Sequence, residues 1–106
     1  MGRRFATYAL PVPAELRAAA AAFCEEARSP LEERNSDYFG RYYRSAVGGI
    51  TVEFKQNADA VGGLLQQSQA PDATIVFCHG PAEATGWKVA IDAIRECFAD
   101  AELVSP

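Results

Sequence analysis

The glycine pair Gly48-Gly49 constrains this chain more than any other feature, because it separates two runs of strand-forming residues, 42–47 and 50–55. Two residues between such runs form a tight hairpin turn, and glycine accepts the positive φ angles that this turn demands. The register then follows. Val47 faces Ile50, Ser45 faces Val52 and Tyr43 faces Phe54 on one side. Ala46 faces Thr51, Arg44 faces Glu53 and Tyr42 faces Lys55 on the other. One side is mostly apolar and the other pairs opposite charges, as cross-strand energetics favour. A hairpin with one apolar face needs a layer to cover it, so the chain is expected to build a sheet with something packed on one side.

The rest of the sequence supplies that layer. Residues 4–10 (RFATYAL) are rich in β-formers and end at Pro11, which predicts a first strand. Pro13 suits the first turn of a helix running to about Arg28, where Ser29-Pro30 stops it. Leu16, Ala20, Phe23, Cys24 and Ala27 recur at helical spacing on it. Residues 31–40 are polar and turn-rich and read as an exposed connection. Residues 57–73 carry Gly62-Gly63 and read as a mobile loop or a short helical turn. The run 74–78 (TIVFC) is continuously apolar and predicts a central strand, ended by His79-Gly80-Pro81. A second helix starts near Ala82 or Gly86 and runs to Ala99, with Trp87, Ala90, Ile91, Ile94 and Phe98 as its apolar stripe. Residues 102–105 suit a short edge strand. The predicted order is β-α-β-β-β-α-β: an α+β two-layer sandwich, a mostly antiparallel sheet of about four to five strands with two helices on one face, a ferredoxin-like variant. Its 106 residues suit a single domain, 1–106.

Charge and cysteine usage narrow the function classes. Fourteen acidic against ten basic residues give a net charge of −4, which opposes nucleic-acid binding and suits a basic protein partner. Sheet-borne aromatics stack bases in the RNA-recognition fold, which shares this element order, but YFGRYYRSAV lacks that family's glycine and aromatic spacing. No apolar run approaches the roughly 20 residues of a membrane span. Glu15 and Arg17 interrupt any signal-like stretch before Cys24, Phe23 occupies the place of a small residue, and Ala6 stands where myristoylation wants Ser or Thr. A cytoplasmic location is expected. Cys24, Cys78 and Cys97 are an odd number at wide spacings, which fits reduced thiols. They lack the close pairing of a zinc site with His79, and no metal or other cofactor is expected.

Candidate sites come from three places. Residues 34–55 pack Tyr38, Phe39, Tyr42 and Tyr43 among Arg34, Arg41 and Arg44, with three of the four tyrosines inside six residues. Tyr and Arg anchor protein interfaces because both combine contact area with a polar handle. With Tyr43 and Phe39 assigned to the core, the expected protein-binding set is Glu32, Glu33, Asp37, Tyr38, Arg41, Tyr42 and Arg44. Cys78-His79 is the one place where a nucleophile and a base adjoin. Neighbouring strand residues face opposite ways, so Cys78 is expected in the core and His79 at the sheet's end, with no catalytic residue assigned. HGPAE before the second helix resembles an anion cradle, opposed by Glu83 and equally well read as ordinary punctuation.

In size, acidity and lack of catalytic motifs, the chain resembles the small cytoplasmic immunity proteins that bacteria encode beside secreted toxins. The residues that carry the resemblance are DYFGRYYR, the VGGITVEFK hairpin and the acidic stretch 25–37. It implies a protein-binding module that occludes a cognate toxin or enzyme, with a basic toxin domain as partner. Two alternatives have their own signatures. One is a small-molecule-binding domain or enzyme with a pocket near Cys78 and His79. The other is a homo-oligomer that buries the hairpin's outer face or last strand against a copy of itself.

Overall fold

The structure, a computed structural model, describes residues 2–10, 15–36, 40–58, 63, 65, 66, 69 and 72–105. Six strands and two helices follow in the order β1 (Arg3–Leu10), α1 (Leu16–Ala27), β2 (Glu32–Ser36), β3 (Gly40–Val47), β4 (Ile50–Gln56), β5 (Thr74–Pro81), α2 (Gly86–Cys97) and β6 (Glu102–Ser105). The strands form one sheet in the order β2-β3-β4-β5-β1-β6, and every pairing is antiparallel. Strands β4-β5-β1-β6 with the two helices give the expected ferredoxin-like arrangement, which β3 and β2 widen at one edge.

The hairpin forms in the expected register, from Val47 opposite Ile50 to Tyr43 opposite Phe54. Gly48 and Gly49 take φ angles of 49° and 90°, the left-handed region that only glycine enters cheaply. Their turn also anchors the second layer. Gly86, the first residue of α2, donates its backbone N–H to the Gly48 carbonyl at 2.9 Å. A Cβ on Gly86 would lie 1.8 Å from the Val47 carbonyl oxygen.

Two expectations need correction. Residues 31–40 are not simply a connection, because Glu32–Ser36 forms the edge strand β2, and the sheet has six strands, not four or five. This strand is polar throughout (EERNS), so no apolar alternation marks it. Cross-strand pairs hold it instead: Glu32 lies opposite Arg44 and Glu33 opposite Tyr43. Charge on an outermost strand also discourages further strand addition. The second correction concerns β5, which continues through His79 and Gly80 to Pro81, because β1 pairs with it along its whole length.

Both helices cover one face of the sheet. Phe23 and Cys24 of α1, with Trp87, Ala90 and Ile94 of α2, pack on Tyr8, Tyr43, Val52, Phe54 and Val76. Phe54 lies at the centre, its ring 5.4 Å from that of Phe23 and 6.3 Å from that of Phe98. Helix α1 begins at Leu16, capped by Glu15, whose carboxylate accepts from the backbone N–H groups of Arg17 and Ala18. The expected start at Pro13 lies outside the described residues, and the helix ends where Arg28 turns left-handed.

Most of 57–73, expected as a loop or helical turn, also lies outside the described residues. What is described hangs on Asn57, which is fully buried. Its Nδ2 donates to the carbonyls of Gln66 and Gln69 at 3.0 Å each, and its Oδ1 accepts from the Gln66 N–H at 2.7 Å. Asn57→Ala leaves those three backbone groups without this partner and should cost about 2 kcal/mol in urea unfolding. Asn57→Asp should cost at least as much, since a carboxylate cannot donate to the two carbonyls it would face.

Candidate functional site

Strand residues alternate between faces, so the helix-covered face implies an outer one built from the intervening residues. The pairing register arranges these in rungs. One rung runs Thr7, Phe77, Glu53, Arg44 and Glu32 across five strands. A second runs Phe5, His79, Thr51 and Ala46. Next to the first rung lie Lys55, Tyr42 and Arg34. The outer face is therefore aromatic toward β1 and β5 and charged toward β3 and β2.

At the charged end, Glu32 sits between two arginines. Arg34 Nη1 lies 3.5 Å from one carboxylate oxygen, and Arg44 Nε lies 4.0 Å from the other. These groups are partly exposed, so each pair contributes little to stability, up to about 1 kcal/mol. Lys55 Nζ lies 3.4 Å from Glu53 Oε1, with the two side chains only 13% and 15% exposed. The same ammonium stands 5.0 Å over the Tyr42 ring and 5.4 Å over that of Phe77. It couples the charged end to the aromatic one.

At the aromatic end, Phe5 is 56% exposed although large and apolar. Its ring stacks on His79 at 6.3 Å and 26°, and Arg3 Nη2 lies 3.0 Å from His79 Nδ1. A guanidinium can only donate, so Nδ1 accepts and the ring proton is assigned to Nε2. Between these groups the face sinks into a hollow of about 280 Å3, lined by Phe5, Thr7, Glu53, Lys55, Phe77 and His79 together with Cys78.

The structure divides the predicted binding set. Glu32, Tyr42 and Arg44 share the outer face. Glu33 and Arg41 fall on the alternate positions of the same strands. There Arg41 Nε lies 3.9 Å from Glu33 Oε1, which also accepts from the Tyr43 hydroxyl at 3.2 Å. Asp37 and Tyr38 lie outside the described residues. Glu53 and Lys55 take the side of the hairpin expected for them, with Arg44 and Tyr42. Phe5 and Phe77 were not singled out from sequence, although strict alternation along β1 and β5 would have placed them on this face.

Cys78 and His79 do not form a dyad. Cys78 faces the helices and is 2% exposed, whereas His79 stacks on Phe5 on the outer face. Burial pushes the Cys78 thiol up to about 12, against a smaller opposing pull from Arg4. Only roughly one molecule in ten thousand would then carry the thiolate at pH 8. Native protein at pH 8 should therefore leave Cys78 unlabelled by a thiol reagent, with labelling appearing in denaturant, as peptide mass spectrometry will show. Burial, followed by Glu26, Glu96 and Glu25, also raises the Cys97 thiol. All three cysteines are free, and among the described residues no three His, Cys, Asp or Glu side chains are placed to share a metal.

The suggested anion cradle before α2 has its first helical N–H taken from within. The helix begins at Gly86, where Thr85 makes no side-chain capping bond and the Gly86 N–H goes to Gly48. No described helix is long and apolar enough to cross a membrane. No protein-family model matches the sequence, and no curated protein matches it.

Proposed function

We propose that this protein is a protein-binding module that grips its partner with the outer face of the sheet. Its mode of action is that of an immunity-type inhibitor: it binds a cognate toxin or enzyme and occludes the working surface. The observation that carries this reading is the outer face itself, which Tyr42, Arg44 and Glu32 at one end share with the half-exposed Phe5 at the other. Tyrosine and arginine are strong anchors when a partner excludes water around them. The one rung of alternating charge, Glu53-Arg44-Glu32, gives a partner with matching charges a single register, which is how polar groups contribute specificity. The chain's net charge of −4 favours a basic partner at long range. Glu32 lies beside Arg34 and Arg44, and Glu33 beside Arg41 on the other side, so this attraction comes from the molecule as a whole.

The test is a pull-down from native-host lysate with tagged wild type and the Tyr42→Ala/Arg44→Ala double variant, side by side. One stoichiometric companion is expected on the wild type after a high-salt wash and not on the variant. It should poison cells when expressed alone. A wild-type preparation with no companion, or a companion held equally by the variant, contradicts the proposal.

A further inference from the structure

The hollow in the outer face has a chemistry of its own, set by the rings of β1 and β5 and bordered by Glu53 and Lys55 of β4. Three rings, those of Phe5, Phe77 and His79, line it. Phe5 and His79 stack 6.3 Å apart at 26°, and Phe77 occupies the neighbouring rung. Flat apolar walls favour a flat ligand, because rings gain both area burial and offset stacking. The size is also selective. A cavity of about 150 Å3 already admits benzene, and this hollow offers about 280 Å3. One or two fused rings fit it, and a larger ligand would project into solvent.

Charge decides the sign of the ligand. Arg3 and Lys55 contribute two positive charges and Glu53 one negative, while the His79 ring accepts from Arg3 through Nδ1. The surround is therefore net positive in a chain whose net charge is −4. A cationic ligand would compete for ring faces that protein cations already approach. Lys55 lies 5.4 Å from the Phe77 centroid and Arg3 lies 6.0 Å from that of Phe5. An anionic ligand meets Arg3, Lys55 and the Nε2 proton of His79 as donors, with the Thr7 hydroxyl as one more. We propose that this hollow binds a small planar aromatic anion, an aryl carboxylate of one or two rings, against Phe5, Phe77 and His79. The site stands independently of the protein-binding proposal and does not require it.

Titration of 15N-labelled full-length protein with sodium 1-naphthoate tests this by NMR, with benzylamine as the cationic control. Saturable shifts are expected on β1, β4 and β5, with Kd in the range of about 0.1–1 mM that a ligand of this size allows. Benzylamine should bind at least about tenfold more weakly, the ratio that one well-placed charge supplies. Arg3→Met, at an exposed position, should keep the spectrum of the folded protein and weaken naphthoate roughly threefold to tenfold. Lack of saturation at about 10 mM, beyond the range expected for a site of this size, would overturn the proposal. So would equal affinity for benzylamine, shifts centred on the helices, or an Arg3→Met variant that binds naphthoate as tightly as wild type.

Discussion

Gly86→Ala should destabilise the protein by about 4 kcal/mol or more, enough to leave much of a small domain unfolded. The added Cβ would lie 1.8 Å from the Val47 carbonyl oxygen and 2.6 Å from the carbonyl carbon. Both are backbone atoms of the β3–β4 hairpin, so no side-chain rotation relieves the clash. Helix α2 must lift away. That movement also pulls the Gly86 N–H from the Gly48 carbonyl and disturbs the packing of Trp87, whose indole N–H donates to the Pro81 carbonyl at 2.8 Å. Ordinary overpacking costs about 1–3 kcal/mol because side chains can adjust; here the obstacle is main chain. Gly2→Ala is the matched control, since a Cβ there meets nothing within 4 Å. Urea unfolding of both variants checks the expectation, and a Gly86→Ala variant within about 1 kcal/mol of wild type would contradict it.

The hairpin shows why parts of this fold were legible. Its turn requires glycine, and its two faces differ in polarity, so local chemistry alone selects the register that forms. The apolar stripes of the helices were equally legible: Phe23, Cys24, Trp87, Ala90 and Ile94 are all buried as their spacing implies. Strand β2 was not, because Glu32, Glu33 and Arg34 carry no periodic apolar signal and become a strand only through partners on β3. The role of Gly86 was hidden for the same reason. Nothing near it in sequence reveals that Val47 approaches so closely. The site was half legible. Tyr42 and Arg44 announced themselves by composition, but Glu33 and Arg41, one residue away from outer-face positions, point to the other side. The hollow was invisible from sequence, since Phe5, Glu53 and Phe77 meet only after β1, β4 and β5 have paired.

Tyr42→Ala/Arg44→Ala should weaken partner binding by at least about 100-fold, since buried Tyr and Arg anchors each account for about 2 kcal/mol or more at interface centres. Neither residue lies in the helix-covered core, so the double variant should retain most of its unfolding free energy. The Arg44 side chain is 37% exposed and pairs with Glu32 at 4.0 Å, a contact of small weight in the free protein. A partner that excludes water from this face strengthens it, which is why the loss should appear in the complex and not in the fold. Surface plasmon resonance should place most of the change in the dissociation rate, as is usual for anchor residues. A small effect, under about threefold, would remove this end of the face from the interface.

The most direct measurement is hydroxyl-radical footprinting of the free protein and of the complex recovered with its partner. Two exposed apolar side chains report on opposite sides of the molecule: Phe5, 56% exposed on the outer face, and Val89, 46% exposed on α2. Strong protection of Phe5 and Tyr42 on binding, with oxidation of Val89 unchanged, is the result expected if the sheet grips the partner. Protection of Val89 with Phe5 and Tyr42 oxidised as in the free protein would place the partner on the helices and contradict the account.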